Sequence, residues 1–149
     1  ALDVAVQAQI LNLLKSLQRQ FALTYLFISH DLGVVQHMCD EIAVMYMGKF
    51  MEQADRDSFF AAPRHPYSQA LLDAVPSIDA QPPPQARLVD GAIPDLSERQ
   101  TGCRFASRCP YAAAQCDIGV PPLAPANGVK DHHFLACHFA DEIGSGSKG

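Results

Sequence analysis

The chain has 149 residues, of which 48% are apolar and 18% charged, and its formal net charge is −5 at pH 7. This length suits one small domain with a modest core. The acidic balance argues against a nucleic-acid-binding protein, which normally carries a basic face, and against a polybasic module that binds membrane surfaces. No apolar run approaches the roughly 20 residues that cross a bilayer, so no membrane-inserted segment is expected.

The first 62 residues follow the patterns of regular helices and strands. Asp3 is a candidate N-cap for a helix that ends near Gln20, because the apolar residues of this stretch recur at spacings of three and four. The run 23–28 is apolar and rich in β-forming residues, which predicts a buried strand. Asp31 is placed to cap a second helix that ends near Cys39.

Three further elements are predicted: a hairpin with β-rich runs at 42–47 and 50–53, a short helix that Asp55 caps and that stops before Pro63, and a last helix from Pro66 to Val75. Gly48 lies at the hairpin turn, where glycine is favoured. Helices that alternate with strands predict an α/β fold. We expect its sheet to be incomplete, since only one strand is apolar enough to be central.

The second half of the chain has a different composition. All 11 prolines lie at or after Pro63, and four of the five cysteines lie at or after Cys103. This half is therefore predicted to be loop-rich. The stretch 77–86 contains three consecutive prolines and is predicted to be an extended hinge.

His30 lies at the carboxyl end of the predicted strand 23–28, which is where open α/β sheets bind ligands. From the residues alone, two interpretations stay open: the imidazole contacts a ligand, or it only bonds the backbone at a strand-to-helix turn. Ser29, His30 and Asp31 are not expected to form a hydrolase triad, because consecutive side chains project in different directions. His65 carries no partner pattern and is expected at the surface or in packing.

Four cysteines form a second candidate site: Cys103, Cys109, Cys116 and Cys137. Without an export signal, four such thiols favour a metal centre over two disulfides. Structural zinc usually binds cysteine pairs two to four residues apart, whereas wider spacings suit a 4Fe–4S cluster. Spacing therefore favours the cluster and leaves zinc, and reduced thiols or disulfides, open. Three histidines are alternative ligands: His132, His133 and His138. Cys39 is expected to be a buried small apolar residue.

Five stretches, in chain order, resemble the C-terminal part of the ATP-binding subunits of ABC transporters. Ala1-Leu-Asp resembles the end of the D-loop, Thr24-Tyr-Leu-Phe-Ile-Ser-His-Asp the H-loop strand, and Val44-Met-Tyr-Met-Gly-Lys the closing hairpin. Arg64-His-Pro-Tyr-Ser-Gln-Ala-Leu-Leu and Gly102-Cys-Arg-Phe-Ala-Ser-Arg-Cys-Pro resemble the oligopeptide/dipeptide (and nickel) importer branch, which has a cysteine-bearing C-terminal subdomain. The resemblance covers residues 1 to about 139.

Four motifs of this family are absent from the chain: the P-loop, the Gln-bearing loop, the Leu-Ser-Gly-Gly-Gln signature and the Walker B Asp-Glu pair. We expect all four upstream of Ala1, which is not a Met. The resemblance therefore implies the last part of a longer subunit. It implies an α/β fold, the C-terminal fragment of a P-loop NTPase core at 1–76, with a linker at 77–101, a small cysteine-containing subdomain at 102–140 and a disordered tail at 141–149.

The resemblance also implies roles for the candidate residues. His30 would be catalytic: it would contact the γ-phosphate of ATP, bound with Mg²⁺, and help orient the attacking water. Asp3 would lie in the D-loop at the nucleotide interface and face a second ATPase subunit, in addition to any capping role. The four cysteines would ligate a 4Fe–4S cluster, with zinc as the alternative.

The function implied is that of an ATP-binding subunit of a peptide-type ABC importer, which couples ATP hydrolysis to uptake of di- or oligopeptides. Its partners would be a second ATPase subunit, arranged head to tail, and membrane permease subunits, with no nucleic acid. It would lie in the cytoplasm, peripheral to the inner face of the bacterial inner membrane. This chain alone is predicted to be inactive. The competing hypothesis is a free-standing iron–sulfur or zinc-binding interaction module without ATPase activity.

Overall fold

The computed structural model describes residues 4–75, 101–127 and 132–144. The chain divides into two compact units, Ala1–Asp40 and Glu41–Gly149. The candidate cap Asp3 and the predicted hinge at 77–86 lie outside the described residues. No helix in the described part of the chain is long and apolar enough to cross a membrane.

The first unit contains two helices, α1 (Val4–Phe21) and α2 (Leu32–Met38). Asp31 caps α2, because its carboxylate accepts the backbone N–H groups of Gly33 at 2.9 Å and Val34 at 3.2 Å. These bonds satisfy donors that have no partner within the helix. Both helices confirm the predictions made from apolar spacing and from the Asp cap.

The segment 23–28 is not a strand, so the prediction of a buried strand here is wrong. The side chains of Leu26 and Ile28 are 90% and 93% exposed. The Tyr25 hydroxyl donates to the carbonyl of Leu14 at 3.2 Å, which ties the segment back to α1. A strand needs a neighbouring strand to pair its backbone groups, and the described residues of this unit contain none.

The second unit begins with a hairpin of β1 (Glu41–Tyr46) and β2 (Lys49–Asp55), paired antiparallel. Met47 and Gly48 join the strands with φ values of 46° and 74°. Two positive φ values in a two-residue loop are typical of a type I′ turn, whose twist matches that of the strands. The hairpin prediction is confirmed, with the glycine at the turn.

Two short helices follow the hairpin, α3 (Arg56–Ala61) and α4 (Pro66–Asp73), as predicted. The Asp55 carboxylate caps α3 by accepting the N–H of Ser58 at 2.9 Å. Pro66 occupies the start of α4, where its lack of an N–H is tolerated. The residue before it, His65, is the N-cap of this helix.

The C-terminal part adds short elements that the sequence patterns did not predict: a 3-10 helix at Ala106–Arg108, α5 (Gln115–Ile118), β3 (Ala124–Pro125), β4 (Phe134–Leu135) and α6 (Ala140–Gly144). The strands join the hairpin in one antiparallel sheet of order β1-β2-β4-β3. The fold is therefore mixed α/β with an antiparallel sheet. Helix α6 includes residues 141–144 of the predicted tail, with acidic residues in the first turn where they favour a helix.

The core of the second unit is aromatic. Tyr46, Met51 and Phe105 are buried together, and Cys103 and Cys109 pack against them. The Tyr46 and Phe105 rings meet edge to face at 5.5 Å between centroids, an arrangement that aromatic pairs favour. The core therefore lies directly against two of the candidate cysteines.

Candidate functional site

His30 is exposed and lies in a bend just before α2. The turn itself is held by its neighbours: Ser29 Oγ accepts the N–H of Asp31 at 3.0 Å, and Asp31 caps the helix. The hydrogen bonds that the backbone-capping interpretation required of His30 are thus made by the residues on either side. This geometry leaves the imidazole at the surface, at the start of a helix.

The structure brings the four candidate cysteines together. Cys103, Cys109, Cys116 and Cys137 line one pocket in the second unit. Each comes from a different local structure. The first two flank the 3-10 helix, the third lies in α5, and the fourth follows β4. The 103–116 loop is closed by a hydrogen bond of 2.7 Å from the Cys103 N–H to the Cys116 carbonyl.

Gly102 has a steric role beside this pocket. A Cβ at this position would overlap the Cys116 carbonyl oxygen and would lie 2.8 Å from backbone atoms of Asp117. Two backbone segments therefore approach more closely than any residue with a side chain allows. The glycine makes the hydrogen bond between Cys103 and Cys116 possible.

The free space inside the pocket is small, about 10 Å³. That is the room of about one water molecule, so the thiol side chains must rotate outward to admit a larger group. No group of three or more His, Cys, Asp or Glu side chains in the described part of the chain is placed to hold a metal ion. The structure therefore does not confirm the predicted cluster or the zinc alternative.

Three of the thiols in this pocket resist ionisation. Burial raises the pKa of Cys109 to about 11, and the neighbouring cysteines reinforce the shift. Burial likewise raises the pKa of Cys103 and Cys137, with smaller contributions from other thiols of the pocket. Thiolates placed together repel one another, and a bound cation relieves that repulsion. Cys103, Cys109 and Cys137 are thus neutral at pH 7 unless positive charge enters the pocket.

The three candidate histidines have different surroundings. His138 lines the cysteine pocket, and its Nε2 donates to the Gly119 carbonyl at 2.9 Å. His133 instead lies against Glu52, with its Nε2 2.6 Å from Oε1. His132 is exposed. His138 alone among them shares the pocket with the thiols.

Glu52 lies beside the cysteine pocket's residue His65, and the sequence patterns did not predict a role for it. It is fully buried, and its carboxylate accepts the N–H groups of Arg64 at 2.8 Å and His65 at 3.0 Å, besides facing His133. Burial alone would raise the pKa of Glu52, but these hydrogen bonds outweigh it and lower the pKa. Four of the seven residues of β2 are polar or charged, and nothing in the sequence marks Glu52 among them as the buried one.

His65 is the second residue that the sequence did not mark. It is 1% exposed and lines the cysteine pocket. Its Nδ1 accepts the N–H of Tyr67 at 3.1 Å, which places the ring proton on Nε2. Burial lowers the pKa of His65 to about 4, against the opposing charge of Glu52 and a hydrogen bond with the backbone of Ala136. The imidazole is therefore neutral at pH 7.

Comparisons with known proteins show a consistent similarity. Residues 51–116 match the family described as "Oligopeptide/dipeptide transporter, C-terminal region". A putative peptide import ATP-binding protein of Brucella ovis is 45% identical over 137 residues, which are 92% of this chain and 42% of the relative. The family match includes three of the four candidate cysteines.

Two peptide-transport proteins from other bacteria are similar to the chain over nearly its whole length. The di/tripeptide transport ATP-binding protein DppF of Pseudomonas aeruginosa is 42% identical over 96% of this chain and 43% of its own length. The oligopeptide transport ATP-binding protein AppF of Bacillus subtilis is 43% identical over 93% of this chain and 42% of its own length. The chain thus spans about two fifths of the curated relatives that it matches. The chain is similar, along nearly its whole length, to a C-terminal part of the ATP-binding subunits of oligopeptide/dipeptide ABC importers.

Proposed function

We propose that this chain is the C-terminal portion of an ATP-binding subunit that couples ATP hydrolysis to uptake of di- or oligopeptides. The observation that carries the proposal is identity above 40% along more than nine tenths of the chain to proteins named for peptide transport. The alternative, a free-standing metal-binding interaction module, is not favoured, because these relatives are named as ATP-binding transport proteins rather than metal-binding modules.

We assign His30 the role of a γ-phosphate contact. Hydrolysis of ATP depends chiefly on positioning and on stabilising charge that spreads over the phosphate oxygens. An exposed imidazole at a helix start, whose turn is already held by Ser29 and Asp31, is free to donate to such an oxygen. Asp3 is assigned to the D-loop by resemblance alone. The groups that hold Mg²⁺ and the other phosphates belong to motifs that this chain does not contain.

The proposed partners are a second ATP-binding subunit, arranged head to tail, and membrane permease subunits. The proposed location is the cytoplasmic face of the inner membrane. Names of relatives that specify peptide import support both proposals, because import requires a membrane pathway as well as an ATPase. The exposed apolar side chains of Leu26 and Ile28 are available to pack against the rest of such a subunit.

We also propose that the four cysteines of the pocket hold a 4Fe–4S cluster in a subdomain at 102–140, following a linker at 77–101. Four thiols from separate local structures around one pocket support this proposal, since a cuboidal cluster takes four thiolates. When bound, the cluster would cross-link turns that bury little apolar surface. The thiols would lose their protons and rotate outward as it enters.

The proposal is tested by uptake. The intact subunit, encoded together with the sequence upstream of Ala1, is reconstituted with its permease in vesicles, and ATP-dependent entry of a labelled dipeptide and a labelled pentapeptide is measured. Uptake of either peptide that needs ATP and is lost in His30→Ala supports the proposed function. Vesicles that hydrolyse ATP but take up neither peptide contradict it.

A further inference from the structure

An open groove in the second unit takes no part in the function proposed above. It lies between the start of β2, the residues just before the 3-10 helix and the segment that leads into β3, and it holds about 300 Å³ of free space. This volume reaches the lower end of the range found for binding pockets. The groove can therefore admit part of a ligand without rearrangement, which the cysteine pocket cannot.

Most of the groove's lining is apolar. Met51 and Ala136 are buried and form its base, whereas Phe50, Val120 and Leu123 are between 37% and 47% exposed at its edges. Water in contact with apolar side chains is released when another apolar surface covers them, and this release is favourable. The lining therefore favours an occupant with aliphatic side chains.

The exposed apolar surface continues beyond the groove. Phe50 is paired with Met45 across the hairpin, and the side chain of Met45 is 53% exposed. Opposite residues of an antiparallel pair lie on the same face of a sheet. An apolar surface that runs from a groove onto the face of a hairpin fits an extended chain segment better than a compact small molecule.

Positive charge is concentrated at this groove, although the chain as a whole has a net charge of −5. Among the described residues that line it, Lys49 and Arg104 are cationic and none is a carboxylate. The Nε–H of Arg104 is buried and has no acceptor in the described part of the chain. A buried donor without an acceptor is unfavourable, and a carboxylate would satisfy it through a charge-assisted hydrogen bond.

We propose that this groove is a docking surface for an extended segment of a partner protein that carries both aliphatic and acidic side chains. The aliphatic side chains of that segment cover Phe50 and Leu123, and one of its carboxylates accepts from Arg104. An inorganic anion would leave the apolar lining uncovered, and two cations are too few to bind nucleic acid tightly. Docking of this kind depends neither on ATP hydrolysis nor on a metal.

The test uses a ten-residue peptide of leucine, valine and glutamate, blocked at both ends, with a photoreactive benzophenone at its centre. The peptide is cross-linked to the 149-residue chain, the cross-linked residues are mapped by mass spectrometry, and the yield is measured against peptide concentration. We expect cross-links at Phe50 and in the segment 120–123. Replacing each glutamate of the peptide by glutamine should raise the half-saturating concentration about tenfold, because a neutral acceptor forms a weaker hydrogen bond.

Variants of the chain assign this preference to Arg104. Arg104→Met should weaken binding of the glutamate peptide about tenfold and leave binding of the glutamine peptide nearly unchanged. Lys49→Gln, at the exposed first residue of β2, should reduce the preference as well and serves if Arg104→Met does not fold. Arg108→Met is the matched control and should keep the full preference. Arg108 also has a buried Nε without an acceptor among the described residues, but it does not line the groove.

Equal yields with the two peptides, cross-links that map elsewhere, or a preference that survives in both Arg104→Met and Lys49→Gln would overturn the docking role. Two other occupants give their own results. Tighter peptide binding in the double variant Asp90→Asn, Asp95→Asn, at positions outside the described residues, would mean that the chain's own acidic segment competes for the groove. A yield that falls as the chain is concentrated would mean that a second copy covers it. Either result contradicts a separate partner.

Discussion

The His133 Nε2 atom lies 2.6 Å from Glu52 Oε1, although 81 residues separate the two in the chain. Both side chains are buried, at 3% and 0% exposure. The same carboxylate accepts two backbone N–H groups at the start of α4. One glutamate thus joins the hairpin, α4 and the segment that leads to Cys137.

Glu52→Ala should lower the free energy of unfolding of the second unit by about 3–5 kcal/mol, because removing one partner leaves buried groups unpaired. Urea denaturation followed by near-ultraviolet tyrosine signals measures the change. Asp57→Asn is the control: this carboxylate lies 2.8 Å from Arg56 but is 80% exposed, so its loss should cost less than about 1 kcal/mol. Equal effects of the two substitutions would contradict the large contribution to stability that we assign to Glu52.

Stability of the metal-free chain should fall as the pH falls from about 6.5 to 4. The pKa of His65 is lowered by burial from 6.5 to about 4, so between these values the unfolded chain binds a proton that the folded chain does not. Protonation therefore favours unfolding, by about 3 kcal/mol across the window. The pKa of Glu52 is also lowered. As the pH falls below the ordinary pKa of a glutamate, the stabilisation that ionised Glu52 provides is therefore lost as well.

This pH dependence is measured by urea denaturation at a series of pH values. His65→Gln removes the titrating group and should flatten the profile between pH 6.5 and 4.5, while leaving the decline below 4.5, the ordinary pKa of Glu52. A profile of unchanged steepness in His65→Gln would show that other groups govern the acid sensitivity.

Chain purified without oxygen should be brown and carry about four irons. Replacing any one of the four cysteines of the pocket by Ser should bleach it and make the 102–140 segment sensitive to protease, because the cross-link is lost. Cys39→Ser is the control. Cys39 is partly buried in the first unit, and burial together with Asp40 raises its pKa. Colourless protein with about one zinc per chain would contradict the cluster and leave zinc at the same residues.

The 149-residue chain by itself should release no phosphate from ATP above background and should bind nucleotide negligibly. It contains no Gly-x-x-x-x-Gly-Lys-Ser/Thr run to hold the phosphates. It should also aggregate at high concentration, since Leu26 and Ile28 are almost fully exposed. Phosphate release by the chain alone that survives His30→Ala would contradict the proposed ATPase family and its mechanism.

Local chemistry explains which elements the sequence predicted. Asp31 and Asp55 cap their helices through side-chain bonds within three residues, and Gly48 provides a positive φ at the turn. Such interactions depend on neighbours in the chain and leave a readable pattern. The prediction for the run 23–28 fails because it used local composition alone. That composition favours a strand, but a strand also needs a pairing partner, and the described residues of this unit contain none.

Long-range pairing explains what the sequence did not predict. Strand β4 has two residues, too few to show an alternation, and its partner β2 lies about 80 residues earlier. His65, predicted at the surface or in packing, is buried. Its bond to Tyr67 is a local helix cap, whereas its partner Glu52 also contacts His133, 81 residues away in the chain. The four cysteines were grouped by spacing alone. Their shared pocket depends on the closure between Cys103 and Cys116.

The central claim is tested most directly by the ATP turnover number of the intact subunit with and without the His30 imidazole. His30→Ala should leave ATP binding near normal and slow phosphate release by roughly 10²–10³-fold, the effect of removing one donor to the transition state. His37→Ala, at an exposed position of α2, should leave turnover unchanged. An unaltered turnover number in His30→Ala would contradict the γ-phosphate role and reduce His30 to a surface residue of the turn before α2.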